Sequence, residues 1–218
     1  MIEVPHCANL IWIDLARASE AARKKLWQEL KSRYLLDQEV PLFAAFWEEW
    51  QRCQSEAERG LTAYILLALN DRLVADLGTE WLFGYLRRAP AELHTEDVRC
   101  FIARAGRVHP EVESWTEHTR AAVAKKYLAS IRDFGLARGR VKKVTVCPAL
   151  YGAPVRLLIR ALQLVGVRPL DLIQAPVFRL LALDERSVID ALGELNRLGE
   201  LRFRMQGDVI ELDLGEEA

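Results

Sequence analysis

No GxxxxGK[ST] or GxGxxG phosphate loop occurs in the chain, and neither does an HExxH zinc helix or a GxSxG nucleophile elbow. Chemistry that depends on those devices is excluded, so a non-enzymatic protein without a cofactor is expected. The triplet Asp133-Phe134-Gly135 spells the kinase DFG, but the Gly-rich loop, the strand lysine and the HRD loop that give it meaning are missing. Cysteine is sparse: Cys7, Cys53, Cys100 and Cys147 stand singly with no CxxC pair. That argues against a disulfide framework or zinc ribbon and for reduced, mostly buried thiols in a cytoplasmic protein. His109, Glu113 and Glu117 would share a helical face, but a cap at Thr116 interrupts that helix, so no metal site is expected.

Long apolar runs are also missing. The longest, 61–69 and 155–167, are too short to span a bilayer, and Arg156 and Arg160 break the second. The N-terminal MIEVPHCANL has no basic n-region, so neither a membrane span nor a secretory signal is expected. Glycine (12) and proline (8) are few among 218 residues, half of which are apolar, and the expected class is a globular, mainly α protein.

Charge is present in quantity and unevenly placed. The total is −1, yet residues 118–170 hold eleven basic side chains and one acid, Asp133. That segment therefore carries +10 and the rest of the chain −11. Such asymmetry points to a polyanion or to an acidic protein surface. The alternative is internal: the basic segment docks on the chain's own acidic front half or on another subunit, without touching nucleic acid.

The stretch 116–148 shows how the charge is displayed. Thr116 suits an N-cap, Glu117 suits the first turn, and Gly135 sits where a left-handed C′ residue belongs. At 3.6 residues per turn Val123, Ala124, Tyr127, Leu128, Ile131 and Phe134 fall on one side. Lys125, Lys126 and Arg132 lie on the other, around the small residues Ala122, Ala129 and Ser130. Arg138, Arg140, Lys142 and Lys143 follow, in a loop and a strand near 141–147 to which Val141, Val144 and Val146 lend β-propensity. A basic helix followed by a basic β segment is what a winged helix presents to nucleic acid.

Three regions are expected. Residues 1–92 form a helical N-terminal part, with helices over 5–36, an aromatic helix carrying Leu42, Phe43, Phe46, Trp47 and Trp50 and closed by Gly60, and an apolar helix over 61–77. Gly78 and Thr79 restart the chain into a short helix ending before Pro90. Residues 93–148 form a winged-helix-like unit, in which Thr95 caps a helix facing inward through Val98, Phe101 and Ile102. Residues 149–218 repeat the plan. Pro154 starts a helix closed by Gly166, Pro169 a short one, and Asp184 caps another closed by Gly199. A hairpin over 200–214 then turns at Gly207-Asp208. Its register pairs Arg204 with Glu211 and Arg202 with Asp213, neutralising the exposed face and leaving the first wing as the phosphate binder.

The run Trp115-x3-Thr119, then Leu128-x2-Ile131-Arg132-Asp133-Phe134-Gly135-Leu136, then Gly139 and Lys142-Lys143, resembles the BrxA family of bacteriophage exclusion (BREX) systems. Phe178-Arg179-Leu180-Leu181-Ala182-Leu183 and the hairpin after Leu198-Gly199 extend the likeness, which covers roughly residue 61 to the C-terminus. The resemblance implies a small, helical, non-enzymatic component of phage defence, likened to the NusB-type RNA-binding fold and thought to bind DNA. It brings no catalytic residues. Of the basic positions, only Arg132, Lys142 and Lys143 lie within its motifs.

The expected function is duplex DNA binding with weak sequence preference through Lys125, Lys126, Arg132, Arg138, Arg140, Lys142 and Lys143. About four to six neutralised phosphates would give a log–log salt slope near −4 to −5, and Lys142→Ala with Lys143→Ala would flatten it by nearly two units. The alternatives are an adaptor bound to other BREX proteins and a NusB-like RNA binder.

Overall fold

The computed structural model describes residues 40–106, 110–207 and 209–214. The helices expected over 5–36 lie outside the described residues, as do Cys7, His109 and Asp208. Among the described residues the protein is mainly α, with a few short antiparallel strands, and no helix is long and apolar enough to cross a membrane.

Helix α1 (Pro41–Arg52) starts on a proline and buries Phe43, Phe46 and Trp50, so the aromatic stripe serves the core. It ends at Cys53, earlier than expected, because the Ser55 hydroxyl accepts the Glu58 amide at 3.1 Å and caps a new helix, α2 (Glu56–Asn70). Gly60 is therefore no stop. It lies inside α2, where a Cβ would approach the Phe134 carbonyl oxygen to 3.2 Å, and glycine lets another helix end pass close by.

The apolar helix expected over 61–77 is also interrupted. Asp71 accepts the Val74 amide at 3.0 Å and caps α3 (Arg72–Asp76), which runs into a π-helical turn, Leu77–Leu82, and then α4 (Phe83–Leu86). Gly78 does not restart the chain. It is buried in the π turn, where a Cβ would lie 2.4 Å from both the Tyr64 hydroxyl and Leu180. Gly78→Ala is expected to cost about 1–3 kcal/mol through overpacking, read as a lower urea midpoint at unchanged m. An unchanged midpoint would mean that Tyr64 and Leu180 yield freely.

Next come β1 (Glu92–Leu93), α5 (Thr95–Ala105), α6 (Pro110–Glu113), α7 (Glu117–Asp133), β2 (Ala137–Arg138) and β3 (Lys143–Thr145). The three strands form one antiparallel sheet in the order β1-β3-β2, with Glu92 opposite Val144 and Arg138 opposite Val144 on the other side. Leu93, Ala137 and Thr145 are buried on the inner face. The strand expected near 141–147 is thus shorter than its valines suggested, and Val141 lies outside it.

The last third holds α8 (Gly152–Leu164), α9 (Pro169–Ile173), a 3-10 turn (Pro176–Leu181), α10 (Glu185–Arg197) and the hairpin β4 (Arg202–Gln206) and β5 (Val209–Asp213). Most of its local signals hold, but Pro154, expected to start a helix, is the third residue of α8, which begins at Gly152. Asp184 accepts the Ser187 amide at 2.9 Å, and Gly166 and Gly199 take positive φ. The hairpin pairs Arg202 with Asp213, Phe203 with Leu212, Arg204 with Glu211 and Met205 with Ile210, the register expected. One apolar cluster joins the helices to β1, β2 and the β4–β5 hairpin, from Phe43 to Leu214.

A buried ion cluster joins the front of the chain to α8. Glu49 is fully buried and accepts from Arg156 Nε at 2.7 Å and Arg160 Nε at 3.0 Å. Arg160 also reaches Glu48 at 3.0 Å, and Arg156 bonds Glu200. Burial disfavours the Arg156 charge, but Glu49 and Glu200 outweigh it and hold its pKa above the ordinary guanidinium value. Close by, Glu58 accepts the Ala153 amide at 3.2 Å, satisfying a donor at the N-terminus of α8.

Candidate nucleic-acid interface

Local sequence sets both ends of α7. The Thr116 hydroxyl accepts the Thr119 amide at 3.2 Å. At the other end Gly135 adopts φ +85°, its amide donates to the Arg132 carbonyl at 3.0 Å, and the Leu136 amide donates to Ile131 at 2.8 Å. Those two bonds are the paired stop of a Schellman motif. Ala124, Tyr127, Leu128 and Ile131 are buried, with the Tyr127 ring edge-on to Trp81 at 6.2 Å. This fixes the rotation of α7, so that His118, Ala122, Lys125, Lys126, Ala129 and Asp133 look away from the core. Lys125 and Lys126 are exposed, as expected.

The turn between β2 and β3 is tight. Gly139 has φ +93°, and a Cβ on it would sit 2.0 Å from the Lys142 carbonyl oxygen, which only glycine avoids. Arg138, Arg140 and Lys142 are exposed around the turn. Lys143 differs: half-buried, it donates from Nζ to the Arg140 carbonyl at 3.1 Å and clasps the base of the turn. Arg132 is also engaged, giving Nε and Nη2 to Asp133 Oδ1 at 2.8 and 2.6 Å. Asp133 thus neutralises Arg132 at the end of α7, two turns beyond Lys125 and Lys126.

The basic segment is divided rather than displayed whole. Arg156 and Arg160 turn inward onto Glu49, Arg168 pairs with Asp171 at 2.8 Å, and Arg120 lies 4.0 Å from Glu117. The internal alternative therefore holds for the C-terminal part of the segment. Of the seven residues expected at the site, all but Arg132 have no acidic partner within 4 Å among the described residues, and Lys143 alone of these six is tied to a backbone carbonyl. Glu92, missed in the sequence reading because its two-residue strand has no periodicity, shares the outer sheet face with Arg138 across β3, about 10 Å away.

Other expectations are settled by the same side chains. Cys53 is buried, but Cys100 and Cys147 are exposed free thiols, so the thiols are not mostly buried. On the second hairpin Arg204 lies 3.8 Å from Glu211, and Arg202 faces Asp213 in register, which leaves that face near neutral.

The family model for BrxA matches residues 15–161. The chain belongs to the BrxA family. As a BrxA-family member it is a component of BREX phage defence. The match begins well before residue 61, where the motif resemblance was placed, and takes in the helices of the front half. It also contains α7, the turn after β2 and the Glu49–Arg156–Arg160 cluster. No curated protein and no solved structure matches the chain.

Proposed function

We propose that this BrxA-family chain is a non-enzymatic DNA-binding component of its defence system, holding duplex DNA by its phosphates through α7 and the β2–β3 turn. The observation that carries the reading is the sorting of cations. Arg156 and Arg160 are taken up by Glu49 and Arg168 pairs with Asp171, while Lys125, Lys126, Arg138, Arg140 and Lys142 stand exposed with no acid within 4 Å among the described residues, Glu92 being the nearest acid on Arg138's sheet face. Exposed cations without acidic partners, two on α7 and three on the turn that follows it, are what a polyanion would meet.

The element order supports the same reading. A strand, two main helices, a strand, a tight turn and a strand, with sheet order β1-β3-β2, is the element order of a winged helix, in which α7 would take the recognition-helix place. Its 17 residues span roughly 25 Å, and Ala122 and Ala129 keep its outer face low enough for a major groove about 12 Å wide. Contacts made mostly to phosphate give weak sequence preference.

With about four to five phosphates neutralised, log affinity for a duplex is expected to fall against log salt with a slope near −4. Because Lys143 is held by the Arg140 carbonyl, Lys142→Ala with Lys143→Ala is expected to flatten that slope by about one unit, not two. Arg202→Ala with Arg204→Ala on the neutral hairpin is expected to leave it unchanged. A slope that responds to the hairpin pair and not to Lys142 would move the interface to the second unit. Structured RNA outcompeting duplex DNA would change the ligand.

A further inference from the structure

Val141 is a side chain that the fold leaves unused. It is 94% exposed, the most exposed large apolar residue among those described, and it stands at the tip of the β2–β3 turn. Its position is enforced from below. Gly139 permits a turn that a Cβ would block, the Lys143 ammonium closes the base on the Arg140 carbonyl, and Ala137 and Thr145 anchor the two strands in the core. Arg140, Val141 and Lys142 therefore form a preorganised tip, an apolar centre between two exposed cations.

Such a tip fits a narrow, largely uncharged slot with negative charge on both rims. The minor groove of B-form DNA is about 6 Å wide, with a phosphate row on each side and sugar C–H groups for walls. The major groove, about twice as wide, would leave Val141 in water. We infer that the tip enters the minor groove flanking the segment held by α7, with Val141 against the deoxyribose walls and Arg140 and Lys142 on opposite rims. This rests on the duplex-binding reading and adds to it a groove and a base-composition preference. A·T-rich flanks are favoured, because guanine places its N2 amino group in the groove and A-tracts narrow it and deepen its negative potential.

The test is fluorescence anisotropy of the full chain on an A·T-rich duplex, with netropsin as minor-groove filler and methyl green as major-groove competitor. Netropsin is expected to weaken binding by about tenfold or more, since the apolar tip and filler compete for one slot. Val141→Asp, which brings a carboxylate between the phosphate rows, is expected to weaken binding by about tenfold, and Val141→Ala by roughly twofold, at unchanged thermal stability. In Val141→Asp, methyl green still competes while netropsin loses its effect. If netropsin and Val141→Asp both leave a salt-dependent duplex affinity unchanged, the tip lies outside the minor groove while the duplex reading stands. If no salt-dependent duplex binding exists at all, the reading fails and the groove assignment fails with it.

Discussion

Glu49→Ala is expected to destabilise the fold by about 3–5 kcal/mol, because it strips the shared acceptor from Arg156 and Arg160 and leaves guanidinium charge buried. For a chain of this length that corresponds to a drop in Tm on the order of 10 °C. The double variant Glu49→Ala with Arg156→Ala is expected to lose less than the sum of the single losses, since each partner's removal relieves the other's unpaired charge. Thermal denaturation of the two single variants and the double variant measures this directly. The salt slope of duplex binding for the folded fraction is expected to remain that of the parent chain. Additive losses would mean that the cluster is not an interacting unit, and a changed slope would add Arg156 and Arg160 to the interface.

The opposite pattern is expected at the exposed face. Replacing Lys125, Lys126, Arg140 and Lys142 together by Ala removes four cations with no acid partner among the described residues. Each neutralised phosphate contributes about 0.9 to the slope, so the quadruple variant is expected to lose between two and three orders of magnitude in duplex affinity near 0.15 M salt, with the slope falling to about −1. Stability is expected to hold, since all four side chains are exposed and none has an acidic partner among the described residues. Titration at several salt concentrations alongside thermal denaturation separates the two effects. Tight residual binding would place the interface elsewhere on the chain.

What the sequence made legible is what local chemistry decides. Thr116 and Asp184 cap the helices expected of them, and Gly135, Gly166 and Gly199 end theirs with positive φ, because caps and stops depend on a few neighbouring residues. The β4–β5 register followed from a two-residue turn and alternating side chains. Positions governed by distant neighbours were read wrongly. Gly60 and Gly78 looked like breaks and are close-packing points against Phe134, Tyr64 and Leu180. At the candidate site, Lys125, Lys126, Arg138, Arg140 and Lys142 lie exposed as expected. Arg132 and Lys143 turn out to be held by Asp133 and by the Arg140 carbonyl. Glu49 and Arg156 are 107 residues apart, and a helical face bearing Arg156 and Arg160 reads the same whether it meets phosphate or carboxylate.

The placement of the interface is tested most directly by hydrogen–deuterium exchange of the full chain with and without a saturating duplex. Protection is expected along α7 and from β2 through the turn to β3, residues 117–145, with α1, α8 and the β4–β5 hairpin unchanged. Protection confined to the hairpin or to the front helices, with 117–145 exchanging as in the free protein, would contradict duplex binding through α7 and the first wing.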